Sequence, residues 1–260
     1  MFAKKPALVM PFHDPEGEMF QHLQATLPDL KAHFERAYLT IPDETAQRQP
    51  ENVQALKDDG FFWLYPIESE SPVGDHFSYL YQHTAQDANP ELILHLCFPD
   101  RLSFALRTDY RKQFLADVDA LLPEHLPLIF QRSAEAWATH PKNYVEIEAF
   151  VSRMGQILFD KWLDYGWCHL VVQAKHLRDI MPKVKNPDLS MVAEMVLHLQ
   201  HEIQTRDVDW LAWEDPFILK RDADELKHER ENSLEETQKR LSYVLPMVEL
   251  LTKFAMNGKG

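Results

Sequence analysis

Glycine is scarce in this chain, with seven among 260 residues, under half the usual share of about 7%. Neither G-x-G-x-x-G nor G-x-x-x-x-G-K-[ST] can be written anywhere, which excludes the two commonest phosphate-cradling loops. Cysteine is scarcer still. Cys97 and Cys168 stand far apart with no C-x-x-C and no second pair, so a disulfide framework and a thiolate metal site are excluded and two reduced thiols are expected. Long apolar runs are also missing. The longest, Phe61 to Ile67, falls well short of the roughly 20 residues that span a bilayer, and Ala7 to Met10 behind Lys4 and Lys5 is too short for a secretory core. A soluble, cytoplasmic protein without integral membrane association is expected. Cations are outnumbered, 27 Lys and Arg against 41 Asp and Glu for a net charge of −14, which opposes any sequence-independent grip on nucleic acid or anionic lipid.

What is present suits a packed core: 45% of residues are apolar and 11% aromatic, and no repeat or low-complexity linker divides the chain. One domain over 1–260 is expected. Four strand-like segments, Ala7 to Phe12, Ala37 to Ile41, Phe61 to Ile67 and Leu92 to Phe98, alternate with helical stretches. Three of the four are continuous apolar runs, the pattern of strands covered on both faces. Asp14-Pro15-Glu16 reads as an N-cap, a first-turn proline and a first-turn acid. A second helix opens at Asp43 and Glu44 and stops at Gly60, and a third begins at Asp75. This alternation implies right-handed βαβ crossovers and a mainly parallel, Rossmann-like α/β sheet flanked by helices. Beyond residue 100, helices are read over Leu102 to Leu122 and Tyr144 to Leu163. Strands are read at Leu126 to Phe130, His169 to Gln173 and Val208 to Trp213, and a long C-terminal helix over Ala223 to Phe254. The stripe of Leu241, Val244, Leu245, Val248 and Leu251 on that helix is expected to pack on the sheet.

Ligands of an open parallel sheet bind outside the carboxyl ends of its strands, so the turns after the strands are the places to look. After the first comes Pro11-Phe12-His13-Asp14, after the fourth Pro99-Asp100-Arg101, and near the last Asp207 to Pro216, which mixes carboxylates with Trp210 and Trp213. In each turn a structural role competes with a chemical one. Asp14 and Asp100 can simply cap helices, Arg107 and Arg111 can form one solvated helix face, and Val208 to Leu211 can be a buried strand. The pair His198 and His201 has a spacing compatible with zinc but lacks the H-E-x-x-H order.

In their order these parts resemble a GT-A type nucleotide-diphospho-sugar glycosyltransferase: a short N-terminal strand ending in a Pro-aromatic-His-Asp turn, three more βα units, an acidic turn after the fourth strand, and an acidic, tryptophan-rich segment before a long C-terminal helix. The resemblance covers roughly residues 6 to 250. It implies a nucleotide-sugar partner, with residues 1–100 as nucleotide-binding βα units and 101–260 as a helical, acceptor-side part. It further implies that His13, Asp14, Asp100, Arg101, Arg107, Arg111 and Trp210 contact the donor, and that Asp209 or Glu214 takes the proton from the acceptor hydroxyl. A divalent metal, manganese or magnesium, on Asp100 belongs to the same pattern. The family's acidic turn carries D-x-D, whereas Phe98-Pro99-Asp100-Arg101 holds one carboxylate followed by a cation. Largely metal-independent binding, with a guanidinium pairing the diphosphate, is therefore expected, together with a cleft shared by Asp14, Asp100 and Asp209. Two other functions fit the same residues: a non-catalytic binding or scaffold relative that lost the D-x-D pair, and a metal-dependent hydrolase built on His13, Asp14, His198 and His201.

Overall fold

A computed structural model describes residues 5–257. β1 (Ala7–Pro11) is followed by α1 (Glu18–His33), β2 (Ala37–Pro42) by α2 (Asp43–Arg48) and α3 (Pro50–Asp59), β3 (Phe62–Ile67) by α4 (Val73–Asp87), and β4 (Ile93–Cys97) by α5 (Pro99–Arg107) and α6 (Arg111–Asp119). β5 (Leu128–Arg132) leads into α7 (Ala134–Thr139) and α8 (Lys142–Phe159), and β6 (His169–Gln173) into α9 (Ala174–Ile180) and α10 (Ser190–Leu199). After β7 (Gln204–Val208) come α11 (Asp215–Ile218), α12 (Ala223–Glu231) and the long α13 (Leu234–Asn257). The strands form one sheet in the order β3-β2-β1-β4-β6-β5-β7. Pairings are parallel except those of β6, which runs antiparallel to β4 and β5. The fold is thus the α/β class expected from the alternation, with a mostly parallel sheet, flanking helices and a long C-terminal helix.

Both faces of the central strands are buried, which is why they read as continuous apolar runs. Ala7 and Val9 of β1 point into one core with helices α4, α9 and α10, while Leu8 and Met10 point into the other with α1, α3, α5 and α6. The run in β3 has a different cause: among the described residues it is an edge strand paired only to β2, just Phe62 and Tyr65 of its six residues are buried, and Trp63 is half-exposed. The chain passes from β1 to β2 on one side, then crosses through α4 to β4 on the other side of β1, making a topological switch point at the β1/β4 carboxyl ends.

The helix read from Asp43 to Gly60 is two, α2 and α3, broken at Gln49 before Pro50, and α4 opens at Val73 rather than Asp75; four further boundaries depart from the pattern, each for a local reason. Helix α1 starts at Glu18, with Gly17 at its N-cap in the left-handed region (φ 82°), because Asp14 to Gly17 closes a turn first. The stretch from Leu102 to Leu122 breaks into α5 and α6 where the Thr108 hydroxyl donates to the Phe104 carbonyl, 2.8 Å away, at the end of α5. The strand expected from Val208 ends there, and Asp209–Leu211 turn as a 3₁₀ segment that drops Trp210 into the core. The C-terminal helix is two, since the Ser233 hydroxyl accepts the Glu236 N–H at 3.2 Å and caps α13 afresh. The stripe on α13 packs chiefly on helices rather than on the sheet: the helix lies on α8 and α10, burying Val244, Met247 and Leu251.

Beneath the carboxyl edge, His95 of β4 and His169 of β6 sit fully buried with His95 Nε2 2.8 Å from His169 Nδ1. Burial lowers both, His95 to about 3, and His169 is further lowered by His95. A base lowered in the folded state stabilises above its unfolded value near 6.5 and loses that contribution as pH falls toward the folded value. Wild type should therefore lose about 2 kcal/mol through His95 between pH 7 and 5 relative to a chain without it. Urea unfolding of wild type and His95→Leu at both pH values measures this; identical pH slopes would rule out a neutral pair.

Candidate functional site

A cavity of about 300 Å³ opens at the carboxyl ends of β4 and β5. β4 delivers Phe98, then Asp100 and Arg101 in the first turn of α5, and β5 ends on Arg132. Because β6 runs the other way, the residues before it, Asp164 to Cys168, arrive at the same edge. Tyr165 anchors this loop against α8 at Gly155, where a Cβ would fall 2.2 Å from the Tyr165 ring. Glu214 and Asp215 enter from the turn into α11, Glu148 from α8, and Lys239 and Arg240 from α13.

The charges interlock. Arg101, partly exposed, pairs with the buried Glu214. Arg132, with its side chain 4% exposed, spans Glu148 at 2.5 Å and Asp164 at 3.0 Å and lies 3.6 Å over the Trp137 ring. Arg240 holds the other oxygen of Glu148 at 3.0 Å and sits 3.8 Å over Tyr144. Among the described residues, the Nε atoms of Arg132 and Arg240 are buried without a hydrogen-bond partner. Four cationic side chains thus face five carboxylates. Burial pushes Glu214 up to about 8, against the pull of Arg101 and helped by Asp100 and Asp215. Glu148 goes the other way: burial pushes it up, but Arg132 and Arg240 outweigh this and hold it at about 2. Cys168 is raised to about 11 by burial, against Arg101 and Arg132, and stays a thiol.

Of the nine residues singled out in the sequence, this cavity gathers Asp100, Arg101 and Glu214. His13 lies exposed beside Glu44 at 3.8 Å. Asp14 spends both oxygens on α1, accepting the Gly17 N–H at 3.1 Å and the Phe20 N–H at 2.7 Å. Arg107 reaches His22 at 2.7 Å, and Arg111 forms a bidentate pair with Asp29 on the outside of α1 and α6. Asp209 accepts the Ser133 hydroxyl at 2.6 Å, outside the cavity lining. Trp210 is 1% exposed, bonded through Nε1 to Asp117 at 2.9 Å and ringed by Phe114, Phe130 and His169, so it offers no face to a sugar. The cleft expected for Asp14, Asp100 and Asp209 together is therefore lined by Asp100 alone.

Asp100 does not suit the divalent metal of the resemblance. One of its oxygens accepts the Arg101 N–H at 2.8 Å, and the adjoining guanidinium repels a dication. Among the described residues no three His, Cys, Asp or Glu side chains are grouped to hold a metal ion. His198 packs on Phe254, and His201 lies exposed past the end of α10. Among the described residues no helix is long and apolar enough to cross a membrane.

The chain matches no protein-family model, and no curated protein aligns with it significantly.

Proposed function

We propose that the cavity is the active site of a glycosyltransferase that moves a sugar from a nucleotide-diphosphate donor to an acceptor hydroxyl. The observation that carries this reading is the meeting of Arg101 and Glu214, from two separate turns, in the cavity beside the switch point of the sheet. A guanidinium there pairs with the phosphate oxygens of the donor. A carboxyl group poised near neutral is suited to general base work. In the transfer, the acceptor oxygen bonds to the anomeric carbon, its proton passes to Glu214, and the bond from that carbon to the phosphate oxygen breaks, its electron pair leaving with the nucleoside diphosphate. Arg101 then carries the charge of the leaving group in place of a metal.

Calorimetric titration with UDP-, GDP- and ADP-sugars, first with manganese and then with excess EDTA, tests this. At least one donor should bind in both conditions, and Arg101→Lys, which loses the bidentate fork, should weaken it at least tenfold. Loss of binding on chelation would overturn the metal-free site, and silence across the panel would overturn the reading. One observation favours the second reading, a non-catalytic relative that binds without transferring: the fourth-strand turn holds a single carboxylate where the family pattern has two. Donor binding without turnover would select it.

A further inference from the structure

Packing absorbs only part of the apolar stripe on α13. The helix lies alongside α8 in the same direction, since Tyr144 bonds Glu236, Glu148 bonds Arg240 and Phe159 meets Phe254. Val244, Met247 and Leu251 are buried in that contact and against α10. Another face stays in water among the described residues: Leu245 is 58% exposed, and Leu234 and Met256 are more than 70% exposed at its two ends. Leu241, Leu245, Val248 and Thr252 follow one another at four, three and four residues, the spacing of a coiled-coil seam, and Leu234 stands one heptad before Leu241. From Leu234 to Met256 the face runs about 33 Å at 1.5 Å per residue. Beside it lies a row of Glu235, Lys239, Ser242, Pro246, Glu249 and Lys253, with all four charged residues exposed; Lys239 also edges the cavity. Turned end for end, this row keeps its spacing, and each acid falls where a base stood.

We propose that α13 docks on α13 of a second copy of this chain, antiparallel, about a two-fold axis at the level of Val244. Glu235 then meets the second copy's Lys253, Lys239 meets its Glu249, and the symmetry makes each pair twice. At each end a Glu235 and a Lys239 thus join the Glu249–Lys253 pair of the other copy, whose charged atoms are 2.6 Å apart within their own helix. The seams interleave in the same register: Leu241 seats between the second copy's Leu245 and Val248, and Leu234 between its Thr252 and Met256. The register also selects the direction. An antiparallel two-fold pair brings both charged rows to one side of the contact, whereas a parallel pair would put them on opposite sides and leave them apart. Burial of the exposed leucines supplies the attraction, and the charge row fixes the orientation.

Sedimentation velocity of the full chain tests this. A species of twice the chain mass should grow with concentration and be half-formed somewhere in the range of about 1–100 μM, because a contact one helix wide lies at the low end of specific interface sizes. Leu245→Lys should raise the dissociation constant at least tenfold. Lys239→Glu and Glu249→Lys each put two like-charge contacts into their own homodimer and should each raise it at least threefold. Mixed, with one variant fluorescently labelled, they regain both opposite-charge pairs and should associate within twofold of wild type. The mixing arm decides the matter if circular dichroism shows Leu245→Lys unfolded. A chain that stays monomeric to about 100 μM, a dimer indifferent to Leu245→Lys in its folded form, or two variants that associate no better mixed than alone would overturn the proposal.

Discussion

Arg132→Ala should lower the free energy of unfolding by about 3–5 kcal/mol, the loss that follows when one member of a buried ion cluster is removed and its partners stay behind. The side chain is almost fully buried and lies between two carboxylates from different elements, Glu148 of α8 and Asp164 of the loop before β6. Its removal leaves both in a low-dielectric site, with Arg240 the remaining direct partner of Glu148, and it takes the cation from the face of Trp137. The loss should depend on pH with a definite sign. Glu148 titrates at about 2 in the folded protein, below its ordinary value of 4.5. Its contribution to stability is therefore complete above about 4.5 and disappears as pH falls toward 2. The gap between wild type and variant, measured by urea unfolding, should accordingly be wide at pH 7 and narrow at pH 3. A gap below about 1 kcal/mol at pH 7 would mean that the carboxylates relax into water and that the cluster contributes little.

The same cluster marks how far the sequence could be read. The strand at Ala7 is visible because both faces of β1 are buried, and Gly60 marks a helix end because it takes the left-handed region, with φ 74°. Arg101 and Glu214 stand in turns after strands, where a parallel sheet places its chemistry. Asp164 and Cys168 escaped the same rule because β6 is reversed, which brings the residues before it, rather than after it, to the carboxyl edge. Nothing in a five-residue apolar strand records its direction. Arg132 lies two positions past the strand read at Leu126 to Phe130 and was hidden by that boundary. Glu148 and Arg240 sit inside helices, where a charged residue ordinarily reads as a solvated face. Only the parallel packing of α8 and α13, a tertiary fact, turns them inward together. Conversely, Asp14, Asp209 and Trp210 drew attention by residue type, and hydrogen bonding to their own fold accounts for them.

The largest functional effect is expected at Glu214. If this carboxylate takes the acceptor proton, Glu214→Gln should lower kcat by about 10²–10⁴-fold, the usual share of a positioned base, while donor affinity changes little. The rate should climb with pH to a plateau above an apparent pKa of about 8, because only ionised Glu214 accepts a proton and burial holds it at that value. Asp100 is one of the charges that raise Glu214, so Asp100→Asn should shift the rising limb to lower pH. Stability provides a readout that needs no substrate. A carboxyl group raised in the folded state binds a proton that the unfolded chain has already released, so its contribution is complete below about 4.5 and fades as pH rises through 8. Between pH 5 and 8 this amounts to about 3 kcal/mol, and Glu214→Gln, fixed in the uncharged form, should lack that slope. If the variant unfolds with the same pH dependence as wild type, Glu214 is ionised throughout and bound as a permanent partner of Arg101. A transfer rate flat from pH 6.5 to 9 would equally remove it as the base.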